Sequence, residues 1–383
     1  MKRSIVIAGS LAQKPGQGGF TWVFLQLLLG FRRLGWNVLF LDRLEPEMCG
    51  DAAGQPCSLD ASYNLRYLKQ VMTQYGLDGA YALAYHRYER FEGFTRAEVL
   101  NRVRESELFL NVMGFFEDAE ILAAARRRVF YDIDPGFTQM WQDLGLCDLL
   151  RGHDDFVTVG ENIGQASCSI PTCGRKWIRT RHPIALEQWP AQPAAGGRQF
   201  TDIGAWRGPY GTLEYQGRVY GLRAHEFRKF AELPRLSGEP FEIAFDIHPN
   251  EVKDLALLAE NHWRLIDPKT VVADPAAYQK YLARSRAQFM VAKGIYVQSH
   301  SGLISDRCAC YLASGRPVLA QDTGLAELYP VGQGLLTFTD LEQAAAGVKE
   351  ISQNYPQHCR AARAVAEQCF DFPRSVEKAN SYQ

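Results

Sequence analysis

Short apolar runs alternate with longer segments of helical length along this chain. Near its start, residues 5–8 form an apolar run of strand length, residues 20–34 have the length of a helix, and residues 37–41 are apolar again. Gly35 follows the predicted helix, at the position where a left-handed turn ends a helix and where glycine has no steric penalty. This order predicts a strand–helix–strand unit with parallel strands.

The same alternation continues through the first half of the chain. It predicts helices at residues 63–75, 95–106 and 119–125, and strands at residues 108–113, 128–133 and 156–159. The strands are apolar almost throughout rather than at every second position, which is typical of a parallel sheet covered by helices on both faces. The first half is therefore predicted to be one doubly wound domain.

Residues 183–198 lack periodicity and are rich in Pro, Ala and Gly, which indicates a connection between domains. A second series follows, with predicted strands at residues 200–205, 241–245, 263–266, 295–298, 317–320 and 335–338. Its predicted helices lie at residues 224–233, 252–261, 274–289 and 306–313, with two more at the end. The pattern predicts an α/β protein of two Rossmann-like domains, residues 1–185 and 198–350, followed by helices in residues 351–383.

Composition limits the classes of partner. The 383 residues include 42 Lys and Arg against 43 Asp and Glu, so the net charge favours neither nucleic acid nor anionic lipid, and we expect no nucleic-acid partner. The longest apolar run, residues 20–31, is shorter than the ~20 residues of a membrane span. Nine dispersed cysteines and the absence of a signal-peptide pattern predict a cytoplasmic protein with reduced thiols. The oligomeric state is left open.

A glycine-rich loop precedes the first predicted helix. Gly16 and Gly18 fit the start of a dinucleotide-binding fingerprint, and Asp42 lies where a ribose-binding carboxylate is expected. The third glycine of that fingerprint falls on Thr21, so a nicotinamide site is disfavoured. We expect instead that Gly18 and Gly19 form a loop on the acceptor side of a cleft.

The most informative segment is residues 299–327. Ser301, Gly302 and Ser305 precede a helix that begins near Asp306, so free backbone N–H groups and the positive end of the helix dipole suit a diphosphate. The next predicted strand ends at the Asp322–Thr323–Gly324 turn, and α/β sheets place ligands at the carboxyl ends of their strands.

Residues 314–327 resemble the donor-binding region of GT-B glycosyltransferases, in which a helix ending in a small residue, Gly, a basic residue and Pro leads to a strand, a turn and Glu. The first half more loosely resembles bacterial glycosyltransferase-like proteins. The resemblance implies two Rossmann-like domains facing across a cleft, with the last helices crossing back to the first domain. It also implies sugar transfer from a nucleoside diphosphate sugar, UDP or dTDP first, without a metal or another cofactor.

The resemblance also implies donor-binding residues. Its diphosphate arginine matches Arg207, and Lys293 substitutes for a lysine that the usual position lacks. The full predicted donor set is Arg207, Lys293, Ser301, Gly302, Ser305, Asp306, Arg307, Asp322, Thr323, Gly324 and Glu327. Gly302 and Cys310 stand where many retaining members have paired glutamates. Glu327 or Asp306 could replace them, and the stereochemistry is left open.

The catalytic base is predicted in the first half. Asp132 and Asp134 lie two residues apart at the end of a strand, on one face, and either could deprotonate an acceptor hydroxyl. His153 is the alternative, with Glu161 and His86 behind it. We therefore expect an enzyme that transfers a glycosyl group to a small-molecule acceptor. A nucleotide-sugar epimerase or hydrolase and a non-catalytic sugar-nucleotide binding protein are the alternatives.

Overall fold

The structure, a computed structural model, describes residues 3–191, 197–208 and 210–380. Each half of the chain forms a sheet that is largely parallel. The first sheet has the order β4-β3-β2-β1-β5-β6-β7-β8, with only β4 antiparallel to its neighbour. Its strands are β1 (Ser4–Ala8), β2 (Asn37–Leu44), β3 (Tyr81–Tyr85), β4 (Arg90–Gly93), β5 (Leu108–Val112), β6 (Arg128–Asp132), β7 (Asp155–Thr158) and β8 (Trp177–Arg179).

The helices of the first half lie in the connections between strands and cover the first sheet. They are α1 (Gly18–Arg33), α2 (Tyr63–Gln74), α3 (Arg96–Glu105), α4 (Ala119–Ala124) and α5 (Phe137–Asp143). The predicted turn after α1 is present, since Gly35 has a φ of 83°. Its N–H donates to the Arg32 carbonyl and ends the helix just before β2.

The second sheet has the order β13-β12-β9-β14-β15-β16, and all its strand pairs are parallel. Its strands are β9 (Phe200–Ala205), β12 (Phe241–Asp246), β13 (Trp263–Ile266), β14 (Ala287–Met290), β15 (Val318–Gln321) and β16 (Leu335–Phe338), and a separate hairpin is formed by β10 (Leu213–Tyr215) and β11 (Arg218–Tyr220). The helices of this half are α6 (Arg223–Phe227), α7 (Leu233–Ser237), α8 (Val252–Glu260), α9 (Pro268–Val271), α10 (Pro275–Arg284), α11 (Gly294–Gln298), α12 (Asp306–Ala313), α13 (Leu341–Gln353), α14 (Tyr355–Cys369) and α15 (Phe372–Asn380).

Three of the predicted elements differ from the structure. The strand predicted at residues 295–298 is helix α11, and the strand of that unit, β14, overlaps the end of the segment predicted as a helix at 274–289. Ile295 is fully buried where α11 meets the first half, so packing overrides its β propensity. The helix predicted at 224–233 is broken, because Pro234 is tolerated only in the first turn of the new helix α7.

The two halves pack closely along α1 and α10. The Trp22 indole donates to the Pro275 carbonyl over 3.0 Å, and the Gly18 N–H donates to the Val272 carbonyl over 2.8 Å. The last helix lies against the first half. Its Phe372 ring packs edge-on to Phe31 at 5.0 Å between centroids.

The predicted linker lies partly outside the described residues, which omit 192–196. The domain boundaries at 185, 198 and 350 therefore stay a prediction. In the part of the chain that the structure describes, no helix combines the length and apolar character needed to span a bilayer.

Candidate active site

Asp134 lies where the carboxyl ends of the two sheets meet. It follows β6, and its carboxylate is 2.8 Å from the Lys293 ammonium and accepts a short hydrogen bond from the Tyr296 hydroxyl. Lys293 and Tyr296 come from the turn after β14 and from α11. The structure therefore brings together two predicted residues, Asp134 and Lys293, which are 159 positions apart in the sequence.

Asp132 stabilises the turn that carries Asp134. It is fully buried at the end of β6, accepts hydrogen bonds from Gln139 Nε2 at 2.6 Å and the Thr158 hydroxyl at 2.8 Å, and accepts another from the Asp134 N–H. Burial raises the pKa of Asp132 to about 6, although these donors oppose the shift. Both carboxylate oxygens are committed to the turn, so Asp132 positions Asp134 rather than facing the cleft.

Two arginines of the second half lie near Asp202: Arg223 is buried, and the side chain of Arg307 is 19% exposed. Arg223 begins α6 and Arg307 lies in the first turn of α12, and both face the buried carboxylate of Asp202 on β9. Arg307 Nε lies 3.7 Å from an Asp202 oxygen. Burial, with the charge of Arg307 beside it, lowers the pKa of Arg223 to about 10, while Asp202 and Asp134 oppose the shift.

These arginines have unmet hydrogen-bonding capacity. Arg223 Nε and Arg307 Nε are buried and have no hydrogen-bond partner among the described residues, and the same holds for one oxygen of Asp202. A buried donor without a partner costs about 1–3 kcal/mol and more when charged, so such groups usually mark the place of a ligand or water. Here two cationic side chains next to one carboxylate each have a buried donor that is not hydrogen-bonded to any described residue.

Lys14 completes the cationic group from the first half. It lies in the loop between β1 and α1, close enough to Asp134 and Lys293 for their charges to act on its ammonium group. Burial lowers the pKa of Lys14, and Asp134 opposes this shift. We call Lys14, Arg223, Lys293 and Arg307 the cleft cations. They converge from both halves around the Asp134 and Asp202 carboxylates.

Arg207 does not join the cleft cations. Its side chain is 42% exposed and forms an ion pair with Glu251, with 2.9 Å between Arg207 Nη2 and a Glu251 oxygen. The role predicted for Arg207 in donor binding therefore stays a prediction. The hairpin β10–β11 lies between β9 and α6 in the chain, and Arg223 is the first residue of α6.

The turn before α12 is covered rather than open. The Asn162 N–H donates to the Ser301 carbonyl over 3.1 Å, and a Cβ on Gly302 or Gly324 would collide with the Asn162 side chain. Ser305 caps α12 by accepting from the Arg307 N–H. The predicted free N–H groups of Ser301 and Gly302 are therefore used internally, because Gly302 donates to the Thr323 carbonyl.

The remaining predicted donor residues have mainly structural contacts. Asp322 accepts from the N–H groups of Gly324 and Leu325, the Thr323 hydroxyl donates to the Leu303 carbonyl, and Glu327 is exposed. Only Asp306 lies beside the cleft, where it lines a cavity of about 20 Å³ with His182. This volume is the size of one water.

The predicted acceptor loop and the alternative base lie elsewhere. A Cβ on Gly18 would overlap the Asp274 carbonyl, and one on Gly19 would lie 2.8 Å from the Tyr278 ring, so both glycines serve the close approach of the two halves. His153 Nε2 lies 3.1 Å from the Asn111 amide, and its ring packs edge-on to Phe130. These contacts separate it from Asp134.

The sequence-based prediction missed Lys14, Asp202, Arg223, Tyr296 and His182. Asp202 could have been found from the sequence, because it is a charged residue inside an apolar strand and a buried carboxylate needs cationic or hydrogen-bonding partners. His182 follows β8 and is also buried beside Asp306 and Arg307. Among the described residues, no group of three or more His, Cys, Asp or Glu side chains could hold a metal ion.

No protein-family model and no curated protein matches the chain in sequence. Solved structures do match its fold. An alpha-glucosyltransferase in complex with UDP and DNA has a TM-score of 0.58 at 10% identity, covering 100% of this chain and 99% of its own. Anabaena HepE in complex with UDP and glucose has a TM-score of 0.56 at 13% identity, with the same two coverages. Sucrose-phosphate synthase from Thermosynechococcus elongatus has a TM-score of 0.52 at 11% identity, covering 100% and 98%.

The chain therefore has the GT-B fold of two Rossmann-like halves facing across a cleft, which confirms the predicted fold class and the family resemblance at the level of the fold. The prediction that excluded a nucleic-acid partner is wrong. The alpha-glucosyltransferase that shares this fold is in complex with DNA. A balanced net charge describes the whole chain and says nothing about one local surface, so it could not support that exclusion.

Proposed function

We propose that this protein is a glycosyltransferase that moves a sugar from a nucleoside diphosphate sugar to an acceptor hydroxyl. The observation that carries the proposal is the pair of arginines, Arg223 and Arg307, whose buried Nε donors have no hydrogen-bond partner among the described residues. The structures that share this fold include complexes with UDP and UDP-glucose. UDP, with dTDP second, is therefore the first donor nucleotide to test.

The cleft cations would bind the diphosphate. Two phosphate groups carry at least two negative charges, and arginine binds phosphate oxygens with paired N–H groups while lysine contributes a compact charge. Lys293 is already paired with Asp134, and we propose that it turns to the diphosphate when the donor enters. Asp134 is then released from its ion pair and becomes free to accept a proton.

The reaction follows from this exchange. The acceptor oxygen forms a bond to the anomeric carbon of the sugar, while the bond from that carbon to the diphosphate oxygen breaks. The acceptor proton goes to the Asp134 carboxylate, and the negative charge that develops on the diphosphate is stabilised by the cleft cations. Because the cations are held by the fold before the reaction starts, little reorganisation is needed at the transition state.

The donor-site assignment is tested by ligand-induced thermal stabilisation with UDP, dTDP, GDP and ADP, and with NAD as a contrast. A ligand at 100 times its dissociation constant adds about 2.7 kcal/mol to the free energy of unfolding. We expect one nucleoside diphosphate to stabilise the wild type. Arg223→Gln should lose most of this effect, whereas the matched surface variant Arg207→Gln should keep it.

Turnover is then measured with the nucleotide identified in this way. We propose small molecules with a free hydroxyl as the first acceptors to screen, and DNA as the second class. Transfer to either class supports the proposal. Release of free sugar at the same rate with and without acceptor would instead indicate a hydrolase, and stabilisation by NAD alone would contradict the donor site.

A further inference from the structure

A groove runs across one face of the first sheet, outside the reaction cleft. It has a volume of about 360 Å³, which falls within the roughly 300–1,000 Å³ of small-molecule sites. Helix α1 forms one wall, helix α15 forms the other, and strands β5 to β8 form the floor. We call it the sheet groove. Its apolar lining consists of Ile5, Leu27, Phe31, Trp36, Leu108, Leu110, Val129, Tyr131, Val157, Ile178, Pro183, Phe372, Val376 and Ala379.

The groove is open because the helices that connect these strands pack at other places in the molecule. Helix α4, between β5 and β6, packs through Ile121 on the opposite face with Val6 and Ala8. Helix α5, between β6 and β7, is directed to the cleft, where Phe137 contacts Tyr210. The floor is therefore covered only at its sides, and α15 is the helix that partly covers it.

The mouth of the groove is polar and has two ion pairs. Arg3 pairs with Glu107 at 2.8 Å, and Arg127 pairs with Asp155, at the amino ends of β1, β5, β6 and β7. The side chains of Arg3 and Arg127 are 62% and 45% exposed. Such exposed pairs are worth about 0–1 kcal/mol, so an incoming anion can compete with the resident carboxylates for the guanidinium groups.

The far end of the groove also carries positive charge. Arg181 lines it, and Lys378 on α15 lies beside it, and both contact the single carboxylate of Glu161. Of the charged residues that line the groove, three are cationic, Arg3, Arg127 and Arg181, and two are acidic, Glu107 and Asp155. An apolar slot with excess positive charge is complementary to an apolar chain that carries one negative group.

We propose that the sheet groove is a binding site for a single-chain amphiphile with an anionic headgroup, of the fatty-acid type. The chain lies on the floor between α1 and α15, and the carboxylate takes the place of Asp155 or Glu107 on the arginines of the mouth. The proposal does not depend on the reaction in the cleft. Burying each CH₂ group contributes about 0.8 kcal/mol, so affinity should rise with chain length until the groove is filled.

The occupant is a free molecule rather than a chain still held in a bilayer. Both walls are helices and the mouth is lined by ion pairs, so the apolar floor cannot lie flat on a membrane. Among the exposed large apolar side chains of the described residues, only Leu34, just after α1, is close in sequence to the lining. A membrane-binding face would present a cluster of such side chains.

The test measures binding of dodecanoate to the full chain by titration calorimetry, below the micelle-forming concentration. We expect saturable binding of one molecule to the wild type and no detectable binding of octanoate at the same concentration. Arg127→Gln should weaken binding about fivefold, because it removes one charge-assisted hydrogen bond to the carboxylate. Arg128→Gln is the matched control. Arg128 pairs with Asp154 in the same way, but it lies on the face of β6 opposite to the groove.

Two variants fill the groove from opposite sides. Ala379→Trp fills it from α15 and Val157→Phe fills it from the floor, and each should abolish dodecanoate binding without lowering the thermal midpoint of the free protein. Glu377→Trp, on the exposed side of α15, should bind like the wild type. The proposal is overturned if the wild type shows no saturable binding, or if both filling variants fold and still bind.

A second experiment distinguishes binding of a free amphiphile from docking on a membrane. Vesicles of phosphatidylcholine with phosphatidylglycerol are sedimented with the protein at the same salt concentration. We expect the protein to stay in the supernatant. Co-sedimentation that is lost in Ala379→Trp, without binding of monomeric dodecanoate, would overturn the proposal in favour of a membrane-docking face.

Discussion

Asp134 connects the two halves of the molecule through an ion pair with Lys293. Its carboxylate faces Lys293 and Tyr296 of the second half, while Asp132 fixes its own turn through Gln139 and Thr158. One aspartate is thus oriented toward the cleft and the other is retained in the sheet. The distinction comes from their partners, because the two residues have the same chemistry and lie two positions apart.

Asp134→Asn should abolish transfer while the nucleotide still binds. An amide cannot accept the acceptor proton, and a general base contributes about 10²–10⁴-fold to the rate. The variant should also release Lys293 from its ion pair, so the affinity for the nucleoside diphosphate should be equal or higher. Comparing kcat with the dissociation constant of the nucleotide checks both effects. Asp246→Asn, at the exposed end of β12, is the control that should change neither.

Asp132 should make the stability of the protein depend on pH in a definite direction. Its pKa is about 6 in the folded state against 3.8 when unperturbed, so the folded state holds the proton more tightly. Its contribution to stability is complete below about pH 4 and is lost as the pH rises through about 6, by up to ~3 kcal/mol for a shift of about two units.

Thermal midpoints of the wild type and Asp132→Asn, measured between pH 4 and pH 7.5, isolate this effect. The neutral variant loses hydrogen bonds and should be the less stable protein at pH 4. Its deficit should shrink as the pH rises, because only the wild type has to ionise a buried group. A deficit that stays constant over this range would show that Asp132 ionises without cost.

The residues of the site were only partly predictable from the sequence. Asp134 could be proposed because it follows a predicted strand, and carboxyl ends of strands collect ligands. Lys293 was proposed as a substitute for the lysine of the family pattern, just before a predicted strand that is helix α11 in the structure. Arg223 could not be proposed, because the hairpin β10–β11 separates it from β9 and no local pattern shows that it folds back. Arg207 was proposed from its distance along the chain after β9, and its role in donor binding stays a prediction.

At the scale of elements, the apolar alternation predicted most strands and helices of both sheets. It failed at β14 and α11, where six consecutive residues, 287–292, are buried and the following turn of helix also contains β-branched residues. A short apolar run cannot be assigned to strand or helix by periodicity alone. The contact between α11 and the first half, which decides the outcome, is not visible in local sequence.

The start of α1 should tolerate no side chain at Gly18. An added Cβ would overlap the Asp274 carbonyl oxygen of the second half, and the Gly18 N–H donates to Val272 in the same contact. Overpacking of this kind usually costs about 1–3 kcal/mol. Gly18→Ala should therefore lower the thermal midpoint, whereas Gly79→Ala, where a Cβ would meet open space, should not. Equal midpoints for the two variants would show that the halves can separate at α1 without loss.

At the scale of the whole molecule, the halves are closed on each other beside the cleft. Glu161, in the turn after β7, is buried and binds three groups at once: Arg181, the Tyr329 hydroxyl of the second half and Lys378 of α15. Burial lowers the pKa of Lys378 to about 8. Asn162, the next residue, covers the turn before α12. One residue thus connects the sheet of the first half, a loop of the second half and the last helix.

Glu161→Gln should open the molecule. Removing one charge from a buried ion network leaves Arg181 and Lys378 without their anion, which typically costs about 3–5 kcal/mol, far more than an exposed ion pair contributes. The contact of Glu161 with the Tyr329 hydroxyl joins the two halves, so weakening this cluster should favour their separation. Small-angle X-ray scattering should show a larger radius of gyration for this variant. Glu187→Gln, which breaks a surface pair with Arg33, should leave it unchanged.

The same pair of variants shows whether opening precedes donor binding. Because the Nε groups of Arg223 and Arg307 are buried in the closed state, we expect the halves to move apart before a diphosphate binds, and Glu161→Gln should bind the nucleotide faster than the wild type. A saturating nucleotide should then return its radius of gyration toward the wild-type value, because the bound diphosphate neutralises the cleft cations from both halves. If the variant opens but binds no faster, the donor enters by a path that does not need separation of the halves at Glu161.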